Sequence, residues 1–148
     1  MKLRPMTVAD LDLVLLYEEV MFGTEAWSRA AYLEEIADTE LRHYLVAESD
    51  DGEVLGDGGL LTIAETAQIV TVGVFPHARR QGVGRVLVRA LVDEARRRQA
   101  EEVLLEVRVD NEAAQKLYDS EGFSMIGIRK GYYDHGRVDA VVMRLALS

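Results

Sequence analysis

Across Val74-Phe75-Pro76-His77-Ala78-Arg79-Arg80-Gln81-Gly82-Val83-Gly84-Arg85 a strand-like run turns into a long amphipathic helix, and no other stretch restricts the possible folds so much. The apolar run over residues 69–74 stops at Pro76, which cannot donate to a strand ladder. Helical spacing resumes at Val83 and continues through Leu87, Ala90, Leu91 and Ala95, so a helix starts inside the glycine pair. Its first N–H groups have no intrahelical partner and carry the positive end of the dipole. Gly82 and Gly84 would let the backbone approach an anion with no side chain between them, although two glycines near a helix start also serve as a plain turn. A Walker loop would need Lys-Ser/Thr where Arg85-Val86 stands, and a dinucleotide fingerprint would need a third glycine where Leu87 stands.

A chain of 148 residues is long enough for one core and too short for two ordinary domains, so a single domain over residues 1–148 is expected. No apolar run reaches the length of a membrane span, and Met1-Lys2-Leu3-Arg4 leads into the polar Thr7-Val8-Ala9-Asp10 instead of a signal-peptide core. A cytoplasmic protein without a membrane partner is expected. With no cysteine there is no disulfide framework, thiolate nucleophile or thiolate metal site. The net charge of −9 is unevenly spread: residues 9–57 hold fourteen acids against Arg29 and Arg42, while residues 79–98 hold seven arginines against Asp93 and Glu94. The acidic half suits a cationic partner and the arginine-rich half a polyphosphate, and the acidic remainder argues against nucleic acid. Arg96-Arg97-Arg98, at the helix end, also read as a solvated face that complements the dipole.

No repeat, linker or low-complexity tract interrupts the pattern. Residues 2–6 read as a strand, and Thr7-x-x-Asp10 as a capping-box start for a helix reaching about Met21. Ser28 caps a second helix over 29–38. Residues 43–48 and 53–63 form a hairpin across Ser49-Asp50-Asp51-Gly52, and 67–74 is the next strand. After the glycine loop, a helix runs to about Arg98, and residues 102–108 form a strand. Residues 111–121 form a helix closed by Gly122, and two last strands, 123–133 and 138–147, meet across Asp134-His135-Gly136-Arg137. The order β-α-α-β-β-β-α-β-α-β-β is an α+β, three-layer pattern.

Arg79-x-x-Gly82-x-Gly84 after Val-x-Pro resembles the acetyl-CoA loop of the GCN5-related N-acetyltransferases. Leu105-Glu106-Val107-Arg108, Asn111, Ala114 and Leu117-Tyr118-x-x-x-Gly122-Phe123 resemble the carboxyl half of the ribosomal-protein alanine N-acetyltransferase branch of that family. Ala26-Trp27-Ser28, Tyr132-Tyr133 and Asp139-Ala140-Val141-Val142-Met143 match it in outline. The resemblance implies a mixed sheet of about six to seven strands flanked by about four helices. It also implies direct attack of a free amine on the thioester of acetyl-CoA within a ternary complex, with no metal.

Three tasks follow. An α-amine of pKa about 8 is largely protonated at neutral pH and needs a base. The resemblance assigns Glu106, on the apolar strand segment Val103-Leu104-Leu105-Glu106-Val107, where partial burial would raise its pKa; strand alternation alone equally permits a surface-facing residue. The departing thiolate needs a proton, which the resemblance assigns to Tyr118; spacing alone equally gives a packed aromatic beside Leu117 and Phe123. The backbone of Val72-Gly73-Val74 would hold the acetyl group and pantetheine arm, Gly73 marking a bulge or a close approach. Asn111 would bond the pantetheine, or cap its helix, or both. Arg79, Arg80, Gln81, Gly82, Val83, Gly84 and Arg85 would hold the pyrophosphate, mainly through N–H groups. Trp27, Tyr32, Tyr132 and Tyr133 would line the acceptor slot. His43, His77 and His135 lack the spacing of a metal pair.

The implied acceptor is a protein N-terminus with a small first residue such as alanine, for example on a ribosomal protein. A small-molecule or lysine ε-amine acetyltransferase stays open, as does a non-catalytic acyl-CoA-binding module, and monomer and dimer are both open. Gly58-Gly59 and the short Asp134-His135-Gly136-Arg137 turn depart from that branch.

Overall fold

Polar side chains mark several of the helix starts. In the computed structural model, which describes residues 1–147, β1 (Lys2–Pro5) is followed by Thr7, whose N–H donates to Asp10 Oδ2 at 2.8 Å. That capping box opens a 3-10 turn, Val8–Asp10, and then α1 (Leu11–Phe22), so the helix read from Thr7 is α-helical only from Leu11. Ser28 Oγ accepts the Ala31 N–H at 3.1 Å and starts α2 (Arg29–Ala37). The strands β2 (Arg42–Glu48), β3 (Val54–Ile63) and β4 (Thr66–Val74) follow as an antiparallel meander. Then come α3 (Val83–Arg97), β5 (Glu102–Arg108), α4 (Glu112–Ser120), β6 (Ser124–Tyr133) and β7 (Val138–Ala146).

The strands form one sheet in the order β1-β2-β3-β4-β5-β7-β6, antiparallel except for β4 and β5. The seven-stranded mixed sheet between two helical layers matches the expected α+β architecture. On one face α3 and α4 bury Leu87, Leu91, Leu105 and Phe123; on the other α1 and α2 bury Leu11, Val14, Tyr32 and Phe75. Each such apolar side chain stabilises the fold by roughly 1.5–3 kcal/mol relative to exposure. The unassigned Gly58-Gly59 pair has a packing role. A Cβ on Gly59 would stand 2.3 Å from the Tyr44 ring, and one on Gly58 would press Leu91 of α3 at 3.1 Å.

Two irregularities open the sheet. β4 and β5 pair only through Thr66↔Glu102, Ala67↔Val103 and Gln68↔Leu104, although β4 continues to Val74 and β5 to Arg108. Just past the last pair, Gly59 faces Thr71 while Leu60 faces Ile69, leaving Val70 as an extra residue. This bulge bends β4 where it parts from β5. Gly73 is therefore not the bulge. It pairs regularly with Asp57, and its missing Cβ makes room for Met21 Cε, which would lie 2.8 Å away.

Candidate active site

The gap between the parted strands is a cleft of about 710 Å³. Ile69, Val70, Thr71 and Val72 form one wall, and Leu105, Glu106, Val107 and Arg108 form the other. Met21, Phe22 and Trp27 close it from the α1–α2 side, and Asn111, Ala114 and Tyr118 from the α4 side. The opening therefore passes through the sheet. Beyond Gln68 no strand pairs with β4 along this edge among the described residues, so its N–H and C=O groups are available to a ligand. Val72 reaches the cleft; Gly73 and Val74 lie beyond its lining.

The glycine loop sits at the start of α3, on the α4 side. Gly82 is the N-cap with φ +79°, and Arg80 also has positive φ at +65°. The first bond at this helix end runs from Val86 N–H to Gly82 O at 3.1 Å, so the amides of Val83, Gly84 and Arg85 precede the ladder. Arg79, Arg80 and Gln81 are exposed beside them. This arrangement fits an anionic group such as a pyrophosphate. Two details differ from the expected cradle. A Cβ on Gly84 would meet Leu117 Cδ2 of α4 at 3.1 Å, so its smallness serves helix packing. The Arg85 guanidinium pairs with Glu121 and donates to Ser120 Oγ at 3.1 Å, both through Nη1, which turns that end of the side chain toward α4.

Asn111 does cap α4, its Oδ1 accepting the Ala114 N–H at 3.1 Å, and it also lines the cleft. Tyr118, two helical turns on, is 8% exposed and packs edge-to-face on Phe123. Burial, with Tyr133 nearby, pushes its phenol up to about 12, so it stays protonated at neutral pH. Glu106 faces the opposite side of the cleft. Its setting is not the apolar one expected: both carboxylate oxygens lie 3.2 Å from Arg129 Nη1 of β6. The Arg129 guanidinium in turn stands 3.9 Å from the Tyr132 ring centroid.

Of the four aromatic residues expected at the acceptor slot, Trp27, Tyr132 and Tyr133 line the cleft and Tyr32 does not. Tyr32 is 0% exposed, because its hydroxyl is drawn inward to donate to Glu18 Oε2 at 2.7 Å, with Asp57 Oδ2 at 3.4 Å. Glu18 Oε1 accepts the Trp27 N–H at 3.1 Å, so one buried carboxylate holds α1, α2 and the loop between them. Burial raises the pKa of Glu18, and burial beside Glu18 pushes Asp57 up to about 8. Asp57 Oδ1 has no partner among the described residues. The Tyr133 phenol, half-buried and close to Tyr132 and Glu106, is likewise pushed up to about 12.

Glu18, Glu25 and Arg129 escaped sequence reasoning. Their only signals were acids within an apolar helix and a cation two residues before the Gly131-Tyr132-Tyr133 stretch, and neither pattern names its partner. The three histidines lie apart, His77 pairing with Glu53 at 2.8 Å. Among the described residues no three His, Asp or Glu side chains group as metal ligands, and no helix is long and apolar enough to cross a membrane.

The acetyltransferase (GNAT) family pattern matches residues 12–123. The chain is 34% identical over 145 residues to a Bacillus subtilis (strain 168) protein provisionally named a ribosomal protein bS18-alanine N-acetyltransferase, covering 98% of this chain and 95% of that one. It is 38% identical over 133 residues to the N-alpha-acetyltransferase RimI of Mycobacterium tuberculosis, covering 87% and 81% of the two chains. The crystal structure of the ribosomal-protein-S18-alanine N-acetyltransferase from Escherichia coli superimposes with a TM-score of 0.86 at 29% identity, over 99% of this chain and 94% of that one.

Proposed function

The chain belongs to the acetyltransferase (GNAT) family and is an N-acetyltransferase, and from that footing we propose that it acetylates the α-amine of a protein N-terminus. The acceptor would begin with a small residue such as alanine, as on a ribosomal protein, and the donor is acetyl-CoA. The reading takes residues 1–148 as one catalytic domain working in the cytoplasm. The observation that carries it is the cleft through the sheet, with Glu106 on one side and Tyr118 on the other.

The donor enters from the α3–α4 side. Amides at the start of α3 hold its pyrophosphate, Asn111 and the free edge of β4 hold the pantetheine, and the thioester rests between the parted strands. The acceptor enters past Trp27, Tyr132 and Tyr133. Glu106 takes a proton from the acceptor ammonium, directly or through water, and the neutral amine attacks the thioester carbon. As the C–N bond forms and the C–S bond breaks, the Tyr118 phenol protonates the departing thiolate. The surplus proton on nitrogen then restores the phenol. The side of the cleft that receives the amine is acidic, with Glu18, Glu25 and Glu106 all lining it, which suits a cationic acceptor.

The test is acetyl-CoA turnover with alanine-initiated peptides, N-blocked peptides carrying an internal lysine, free lysine and polyamines. Only the first should be efficient. Preference for lysine or polyamines would replace the acceptor assignment, and thermal protection by coenzyme A without turnover on any amine would leave only a binding module. Glu106→Gln should lower kcat by about 10²–10⁴-fold, the usual range for a lost general base, with the acetyl-CoA constant unchanged.

A further inference from the structure

Glu106 already holds a cation before any acceptor arrives. Arg129 Nη1 lies 3.2 Å from both of its oxygens, so one N–H-bearing nitrogen is shared between two acceptors. Charge-assisted N–H···O bonds are usually about 2.7–2.9 Å long, so this hold is loose. The side chains are 56% and 18% exposed, Arg129 lying toward solvent and Glu106 toward the cleft. In this same position its guanidinium carbon stands 3.9 Å from the centroid of the Tyr132 ring, a cation–π contact that does not depend on Glu106.

The other charged and titratable groups around Glu106 are engaged elsewhere. Arg108, two residues along β5 and therefore on the same face, is held by both Asp110 oxygens at 2.9 Å and lies 3.7 Å from Glu25. Tyr133, on β6, and Tyr118, across the cleft on α4, are both neutral phenols at physiological pH. Glu18 and Glu25, from the α1 side, add negative charge.

We propose that Arg129 is a positioning residue that keeps the Glu106 carboxylate anionic and aimed between turnovers, then yields it to the incoming ammonium while its guanidinium stays stacked on Tyr132. The exchange of one cation for another rests on the reading of Glu106 as the base. It makes the protonated amine the form that binds, since a neutral amine has no charge with which to displace a guanidinium. It also keeps the site from carrying an uncompensated carboxylate between turnovers. No bond is made or broken in the exchange; the proton transfer to Glu106 follows it.

The experiment compares Arg129→Gln, Arg129→Lys, Glu106→Gln and the Arg129→Gln/Glu106→Gln double variant, with an alanine-initiated peptide as acceptor. An exposed ion pair is worth a factor of about 2–5. Arg129→Gln should therefore lower the acceptor KM by about that factor above the acid limb, and move the acid limb of kcat/KM to higher pH. The acetyl-CoA KM should not move, and Arg129→Lys should return both the acceptor KM and the acid limb to their wild-type values. In the Glu106→Gln background Arg129→Gln should leave the acceptor KM unchanged. Superimposable pH profiles and equal acceptor KM values for wild type and Arg129→Gln, with Glu106→Gln still impaired, overturn the exchange while sparing the base. Full turnover by Glu106→Gln overturns the base itself.

Discussion

The Glu25 carboxylate accepts the backbone N–H of Asp134 at 2.7 Å, joining residues 109 apart in sequence. The bond ties the segment after α1 to the β6–β7 turn, on the side of the cleft proposed to admit the acceptor. It also supports a strained turn, since Asp134 and His135 have φ values of +52° and +55°, conformations that cost about 1–3 kcal/mol for a non-glycine residue. Glu25→Gln should speed hydrogen exchange at the Asp134 amide and raise the acceptor KM with the acetyl-CoA KM unchanged. The Asp134 N–H bond, first among several causes, holds the Glu25 pKa below its ordinary value. The tether is thus complete at neutral pH and is lost only as the pH falls through that lowered value.

Asp57 predicts a pH-dependent stability. Its folded pKa, about 8, is raised by burial and by Glu18, far above its ordinary value of 3.8. Stability linked to the protonated form is complete below the ordinary value and is lost as the pH rises through the folded one. Asp57→Asn should therefore raise Tm at pH 8 more than at pH 5. Equal changes at both values in thermal unfolding would show that Asp57 is not the group responsible.

Tyr118→Phe separates chemistry from folding. The hydroxyl makes no hydrogen bond among the described residues, so the phenylalanine should keep the Phe123 contact and a wild-type Tm near neutral pH. Turnover should fall by about 10²-fold or more, as for loss of a positioned acid. Its phenol is raised from 10.0 to about 12, so the stability it contributes is complete below 10 and lost as the pH rises toward 12. Wild-type turnover would count against the acid role.

The two loop glycines should fail differently. Gly82→Ala meets open space but forces an alanine to φ +79°, which should weaken acetyl-CoA binding with a loss of about 1 kcal/mol in stability. Gly84→Val drives a branched side chain into Leu117, which already lies 3.1 Å from where the first carbon would stand, and should cost about 1–3 kcal/mol by overpacking. Denaturant unfolding and acetyl-CoA titration distinguish the two.

What could be read from the sequence was local. Thr7 with Asp10, Ser28 and Asn111 announce helix starts through bonds spanning three residues, and Gly122 ends α4 at φ +96°. Strand alternation placed β5 at its observed bounds. What escaped depends on residues distant in the chain. The bulge at Val70 exists only relative to β3, and Glu18 becomes a clamp only once Trp27 and Tyr32 fold against it. Tyr32 looked like a slot residue because aromatic type says nothing about direction. Arg129 and Glu106 meet because β6 and β5 both pair with β7, bringing together residues 23 apart.

The parting of β4 from β5 has a kinetic corollary. On the proposed reading each substrate takes its own doorway, one on either face of the sheet, so neither would have to leave before the other arrives and the order of arrival would be free. A compound that plugs one doorway should slow the enzyme without competing with the substrate of the other. Only a molecule slender enough to thread the sheet could contest both at once.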